Sequence, residues 1–154
     1  GRQHFALRTP ARDYGEVDLA LAGRHQVDNA VVAVRLLETV ATSLGVPGVP
    51  EIQRALASAH WPGRLDLVTL PDGRAVLLDA AHNQQGAEAL AAHLEETGIR
   101  APVVFAAMRD KDASSMIRAL TPAVSRFIVT RASNPRSADP ASLADVIARV
   151  APTM

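Results

Sequence analysis

Three short polar loops concentrate the side chains able to do chemistry, and each follows an apolar stretch. They are Asp79-Ala80-Ala81-His82-Asn83, Met108-Arg109-Asp110-Lys111-Asp112 and Arg131-Ala132-Ser133-Asn134-Pro135-Arg136. A carboxylate where an apolar strand stops can hold a ribose hydroxyl, a metal ion or an ammonium group. A histidine three residues on, at a helix N-terminus, sits where the helix dipole favours anions and disfavours imidazolium. The plainer reading stands beside it: Asp79 caps the strand–helix turn and Asn83 caps the helix. Asp112 likewise reads as an N-cap in a solvated loop. Arg64, after Gly63, is either a surface ion-pair partner or a donor to an anion. His25-Gln26-x-x-Asn29 opens a helix, where all three residues could be terminal polar groups. His4, His60 and His93 have no metal-ligand spacing, so no metal site is assigned.

Other chemistries are excluded. The sole lysine, Lys111, follows Asp110, so no phosphate-binding loop of the type G-x-x-x-x-G-K-[ST] is present. Neither a G-x-G-x-x-G fingerprint, a G-x-S-x-G elbow nor an H-E-x-x-H helix occurs. Cysteine is absent, which removes disulfides and thiolate metal sites. The 154 residues carry a formal net charge of +0, which argues against nucleic acid or an anionic membrane as partner. No apolar run approaches the ~20 residues of a membrane span, and the first residues do not read as a signal peptide. The expected setting is soluble and cytoplasmic.

The loops need elements to position them. Short extended pieces are expected at His4–Leu7 and Val17–Ala22. A helix is expected over Gln26–Leu44, apolar on most of its surface and therefore largely buried, with Gly45 as its stop. A second helix is expected over Pro50–Ala59. Trp61-Pro62-Gly63 is strong punctuation and marks a domain boundary. Beyond it, Leu65–Leu70 and Arg74–Asp79 flank the turn Pro71-Asp72-Gly73 as a β-hairpin. Helix Gln84–Glu96, strand Pro102–Ala107, helix Asp112–Leu120, strand Arg126–Thr130 and a helix from Pro140 follow. Strands and helices alternate from Arg74 onward, which predicts an α/β fold with a mostly parallel sheet. Ligands of such sheets bind at the carboxyl ends of the strands, where the three loops lie. The last helix has no strand after it, so the sheet is expected to be truncated at this end.

Five motifs in one order resemble those of folylpolyglutamate and dihydrofolate synthases, in the Mur ligase superfamily. Leu21-Ala22-Gly23-Arg24-His25-Gln26-x-x-Asn29-Ala30 resembles the close of their central ATPase domain. Trp61-Pro62-Gly63-Arg64-Leu65 resembles the start of their C-terminal domain. Leu78-Asp79-Ala80-Ala81-His82-Asn83 resembles their D-G-A-H-N-P signature, with Ala80 in place of Gly and Gln84 in place of Pro. Asp110-Lys111-Asp112 and Pro135-Arg136 match two further positions. The resemblance implies that residues 1–60 close the ATPase domain and that 61–154 form a Rossmann-like, Mur-ligase-type α/β domain. It implies an enzyme that uses ATP and magnesium to phosphorylate a carboxylate of dihydropteroate or a folate. The amine of L-glutamate then attacks that acyl phosphate. Carried over by motif, Asn29, Arg64 and Asp79 would contact ATP, and His82 would sit close to the reacting groups. Lys111 and Arg136 would face the substrate. The phosphate-binding loop and magnesium ligands would belong to the chain's own N-terminal ATPase domain, so this stretch alone is expected to be inactive. Three alternatives stay open: the C-terminal domain of a cell-wall Mur-type amino-acid ligase, a non-enzymatic nucleotide-binding α/β module, and a phosphoacceptor domain built on Asp79.

Overall fold

The computed structural model describes residues 2–45 and 47–154. In chain order the elements are β1 (Gln3–Arg8), β2 (Asp13–Leu19), α1 (Arg24–Leu44), α2 (Val49–Ala57), β3 (Asp66–Thr69), β4 (Ala75–Leu78), α3 (Gln84–Glu96), β5 (Pro102–Phe105), α4 (Ala113–Leu120), β6 (Arg126–Val129) and α5 (Pro140–Val150). They group into two compact units, Gly1–Asp79 and Ala80–Met154.

In the first unit β1 and β2 pair antiparallel, with Phe5 opposite Val17 and a register shift after Leu7. Alternate residues of a strand share a face, and here that face carries Leu7, Tyr14 and Val17 into a core with Val34 of α1 and Ile52 of α2. A polar clamp reinforces the packing. Glu38 of α1 accepts hydrogen bonds from the Thr9 hydroxyl at 2.6 Å, the Tyr14 hydroxyl at 2.9 Å and the Arg35 guanidinium at 2.5 Å. It thereby ties the β1–β2 connection to the helix. The Ala20 amide donates to the Leu56 carbonyl at 3.1 Å, fixing the end of β2 against α2. β3 and β4 form an antiparallel hairpin. Gly73 takes φ +83° in its turn, a conformation that favours glycine.

Two expectations need correction here. Strand β2 starts at Asp13 and stops at Leu19 rather than running over Val17–Ala22. The pairing partner decides this: β1 needs residues opposite Leu7 and Arg8, and Gly15 and Asp13 supply them. Helix α1 is not largely buried. It packs Ala30, Val31 and Val34 inward but leaves Val32, Leu36, Leu37 and Val40 exposed. The hairpin and α2 give it partners on one side only.

In the second unit β5 and β6 pair parallel, Pro102 with Arg126 through Phe105 with Val129. A parallel pair needs a crossover connection, and α4 supplies it. The amphipathic helix α4 buries Met116, Ile117 and Leu120 and packs against both α3 and α5. Facing apolar positions are Ala87, Ala91 and Leu94 on α3 and Leu143 on α5. Phe105 and Phe127 meet edge to face, with centroids 6.1 Å apart, a favoured aromatic geometry. All three helices of this unit carry side-chain N-caps: Asn83 accepts from the Gly86 amide, Asp112 from Ser115 and Asp139 from Ala141.

The α/β class holds. Its parallel pairing is the β5–β6 ladder, while β4 pairs antiparallel with β3. Contacts divide the chain after Asp79, so the β3–β4 hairpin falls within the first unit, whereas the sequence marks a boundary at Trp61-Pro62-Gly63. Among the described residues no helix is long and apolar enough to cross a membrane.

Candidate functional site

Asn29, Arg64 and Asp79 belong to the first unit. Residues 61–66 form a tight corner there. The Arg64 amide donates to the Trp61 carbonyl at 3.3 Å, and the Gly63 amide donates to Asp66 Oδ2 at 3.3 Å. Gly63 has φ +73°, and Leu65 has φ +46°. A leucine at positive φ is uncommon, and two contacts hold it. Its amide donates to Asp79 Oδ2 at 3.0 Å. Its side chain, 5% exposed, lies where Gly23 comes close: a Cβ on Gly23 would stand 2.7 Å from Leu65 Cδ1. Asp79 thus holds a contact beyond its own turn. Its carboxylate reaches back across the hairpin to the backbone beside Arg64.

Arg64 is half-buried and lines a cleft of about 280 Å³ together with His60, Trp61, Leu21 and Leu67. Among the described residues its guanidinium has no hydrogen-bond or ion-pair partner, unlike that of an arginine serving a surface ion pair. A guanidinium beside an exposed indole suits an anionic group carrying a planar ring. Asn29 lies on the second turn of α1, outside the residues lining that cleft. Its amide donates to Gln26 Oε1 at 3.1 Å, and Gln26 Nε2 meets His25 Nε2 at 3.1 Å. Gln26 is buried and organises this polar row. Sequence reasoning assigned it no role; its central place in the His25-Gln26-x-x-Asn29 spacing was the available signal.

His82, Lys111 and Arg136 belong to the second unit. His82 Nδ1 is 3.1 Å from the Ala80 carbonyl. A carbonyl only accepts, so this contact places the neutral-ring proton on Nδ1 and leaves Nε2 as the acceptor. A second cleft, of about 410 Å³, opens where β5 and β6 end. Arg109, Lys111, Arg131, Asn134 and Ser142 are among its lining residues. Two of its cations have acidic neighbours: Lys111 Nζ lies 3.7 Å from Asp110, and Arg131 Nη2 lies 2.6 Å from Asp139. Arg109 donates to the Pro135 carbonyl at 2.7 Å, fastening one loop to the other. Arg109 and Arg131 were quoted within the sequence loops but not singled out. Arg136 is exposed and is not among the lining residues; its amide donates to Asn134 Oδ1 at 2.9 Å. Hydrogen bonds from the Ser115 hydroxyl and then its amide hold the Asp112 carboxyl below its ordinary range, as expected of a working cap. Among the described residues no group of three or more His, Asp or Glu side chains could hold a metal ion.

Residues 63–153 match the family described as "Mur ligase, glutamate ligase domain". This chain belongs to the Mur ligase family. The family match begins within the Trp61–Leu65 corner and contains Arg64, Asp79, His82 and the loops of the second cleft. Among curated relatives, the chain is 32% identical over 121 residues to the dihydrofolate synthase/folylpolyglutamate synthase of Bacillus subtilis, covering 77% of this chain and 28% of that protein. It is 34% identical over 149 residues to the enzyme of the same name from Mycobacterium tuberculosis, covering 94% of this chain and 30% of the relative. Among solved structures, it resembles Mycobacterium tuberculosis folylpolyglutamate synthase complexed with ADP. The TM-score is 0.75 at 31% identity, covering 89% of this chain and 30% of that one. This Mur ligase chain thus spans about 30% of the length of these relatives.

Proposed function

We propose that the chain is the C-terminal part of an ATP-dependent ligase that joins L-glutamate to dihydropteroate or a folate. Residues 1–60 would close its central ATPase domain, 61–154 would form its C-terminal domain, and the enzyme would work in the cytoplasm. The observation that carries the reading is the Arg64 cleft: a half-buried guanidinium beside Trp61, without a partner among the described residues, inside a region matched by the glutamate ligase family. A similar structure complexed with ADP supports a nucleotide as a ligand of the whole enzyme.

The donors present fit part of a nucleotide. Arg64 offers planar N–H groups to phosphate oxygens, Trp61 offers a ring face, and Asn29 is oriented by Gln26. When bound, ATP supplies a phosphoryl group that turns the substrate carboxylate into a good electrophile. The glutamate amine displaces phosphate from that carbon and loses a proton. His82, whose Nδ1 meets the Ala80 carbonyl, would sit close to the reacting groups. Lys111, with Arg109, and the Arg136 loop would face the substrate's carboxylates. The magnesium ligands would belong to the N-terminal ATPase domain.

The test uses the full-length enzyme with ATP, magnesium, glutamate and either dihydropteroate or tetrahydrofolate. Substrate-dependent ADP release is expected. Arg64→Ala should lower kcat/KM by roughly 10- to 100-fold, as for loss of a charged hydrogen bond of about 1.5–3 kcal/mol. Arg64→Lys should recover little, because a point charge cannot replace a planar fork. Wild-type kinetics in Arg64→Ala would remove Arg64 from the site. ADP release only with a cell-wall precursor and an amino acid would move the enzyme to that branch of the family.

A further inference from the structure

Among the described residues two polar side chains are buried, Gln26 and Ser137. Gln26 serves the polar row of α1. Ser137 lies in the second unit, in the connection from β6 to α5, and lines the cleft of about 410 Å³. A buried hydroxyl needs partners, and this one closes a ring. Its oxygen accepts the Ala132 amide, five residues back, at 3.1 Å, and it donates to the Ala138 carbonyl at 3.4 Å. Inside the ring the Asn134 amide donates to the Ala132 carbonyl at 2.7 Å, and the Ser137 amide donates to the Asn134 carbonyl at 2.9 Å. The ring is sewn to the loop after β5: the Arg109 amide donates to the Arg136 carbonyl at 2.9 Å, and the Ala138 amide to the Ala107 carbonyl at 2.8 Å. What the ring displays is one-sided. Asn134 Oδ1 already accepts the Arg136 amide at 2.9 Å, so Nδ2 is the end left for a ligand. Arg131, the neighbour of Ala132, can only donate. Both line the cleft, with Lys111, and donors of this kind suit a carboxylate.

We propose that Ser137 is a positioning residue: through the Ala132 amide its hydroxyl holds Arg131 and Asn134 in one frame, aimed at the carboxylates of the amino-acid substrate. The inference rests on the ligase reading for its kinetic consequence. Removing the hydroxyl leaves the half-buried Ala132 amide without its acceptor, a costly state for a donor away from water. The ring opens to let water in, and the two donors lose their common frame. Ordering them again falls on the ligand, so affinity drops although no contact atom has been removed. The bonds from Arg109 to the Arg136 and Pro135 carbonyls anchor the far side of the loop and remain in place, so the effect is local to residues 131–134.

The test is Ser137→Ala in the full-length enzyme with ATP, magnesium and tetrahydrofolate. The KM for L-glutamate should rise roughly tenfold, as for one lost hydrogen bond and a stranded donor. Misplaced donors weaken binding in the ground and transition states alike, so kcat and the KM for ATP should stay within about twofold. A merely structural serine gives the opposite split, because a smaller folded fraction lowers kcat and leaves every KM alone. That result would overturn the proposal. In the Asn134→Ala/Ser137→Ala double variant the rise in glutamate KM should fall well short of the product of the two single effects, because Ser137 acts partly through Asn134. Full multiplication would mean that Ser137 meets the substrate by itself, and also overturns it. Amide hydrogen exchange needs no activity: the Ala132 amide should exchange roughly tenfold faster in Ser137→Ala than in wild type. An unchanged rate overturns the proposal whatever the kinetics. A wild-type enzyme that releases no ADP would defeat the ligase reading and leave the exchange measurement to decide whether Ser137 holds the loop.

Discussion

Gly23→Ala tests whether the first two motifs are packed together as described. Gly23 has φ +91°, and a Cβ there would lie 2.7 Å from Leu65 Cδ1 and 2.8 Å from the Cε1 of His25. Two costs add. Holding an alanine left-handed costs roughly 1–2 kcal/mol. Over-packing a filled interior adds roughly 1–3 kcal/mol. The His25 ring is half-buried and can swing aside; Leu65 is buried and has no such freedom. The expected loss is therefore roughly 2–5 kcal/mol. Gly15 is the matched control. It has φ +67° with nothing within 4 Å of an added Cβ, so Gly15→Ala carries the conformational cost alone, roughly 1–2 kcal/mol. Urea denaturation of both variants beside wild type gives the contact term as their difference. Equal losses would refute the reasoning, because Leu65 would then not be seated against Gly23.

Further outcomes follow from the packing. Glu38 should give the protein an acid-sensitive step. Hydrogen bonds from Thr9 first, then Tyr14 and Arg35, outweigh burial and hold its carboxyl below the ordinary glutamate range. A lowered folded pKa means that the stabilisation is complete above the unfolded value of about 4.3 and is lost as pH falls through the folded one. Stability measured from about pH 5 downward should fall more gently in Glu38→Gln than in wild type, and coincident slopes would show that the clamp is not ionic. Ile117→Ala, at a position 0% exposed in α4, should cost roughly 2–5 kcal/mol by cavity formation; a loss below about 1 kcal/mol would mean the site collapses freely. Asn83→Ala removes the acceptor of the Gly86 amide at 2.8 Å and should cost about 1 kcal/mol with faster exchange in the first turn of α3. An unchanged melting temperature and exchange rate would show that water replaces the cap.

The second unit was more legible in the sequence than the first. Helix α3 falls on Gln84–Glu96 as read, because cap, period and stop all lie within the segment. Asp112 and Pro140 announced α4 and α5 in the same way. Strand β2 was harder. Asp13-Tyr14-Gly15-Glu16 looks like a turn until β1 pairs with it and buries Tyr14. The burial of α1 was overestimated because a periodic apolar surface records what a helix can pack against, not which partners a given stretch contains. Of the three loops expected along one sheet edge, those after β5 and β6 line a shared cleft, and no residue of Asp79–Asn83 is among its lining residues. The Leu65 kink was invisible: no local pattern marks a leucine for positive φ, and the carboxylate that holds it lies 14 residues away.

The strand ladders carry one more consequence, for handling rather than chemistry. Each of the three described sheets has two strands, so every described strand has a rim of backbone amides and carbonyls outside its ladder. Val104, 66% exposed, and Ile128 lie on the β5–β6 pair. With a formal net charge of +0, little long-range repulsion keeps two copies apart near neutral pH. Short apolar strands with open rims are templates for edge-to-edge pairing. In concentrated solution this stretch should behave as an adhesive colloid, its self-association rising with concentration and yielding to a lysine placed at Val104.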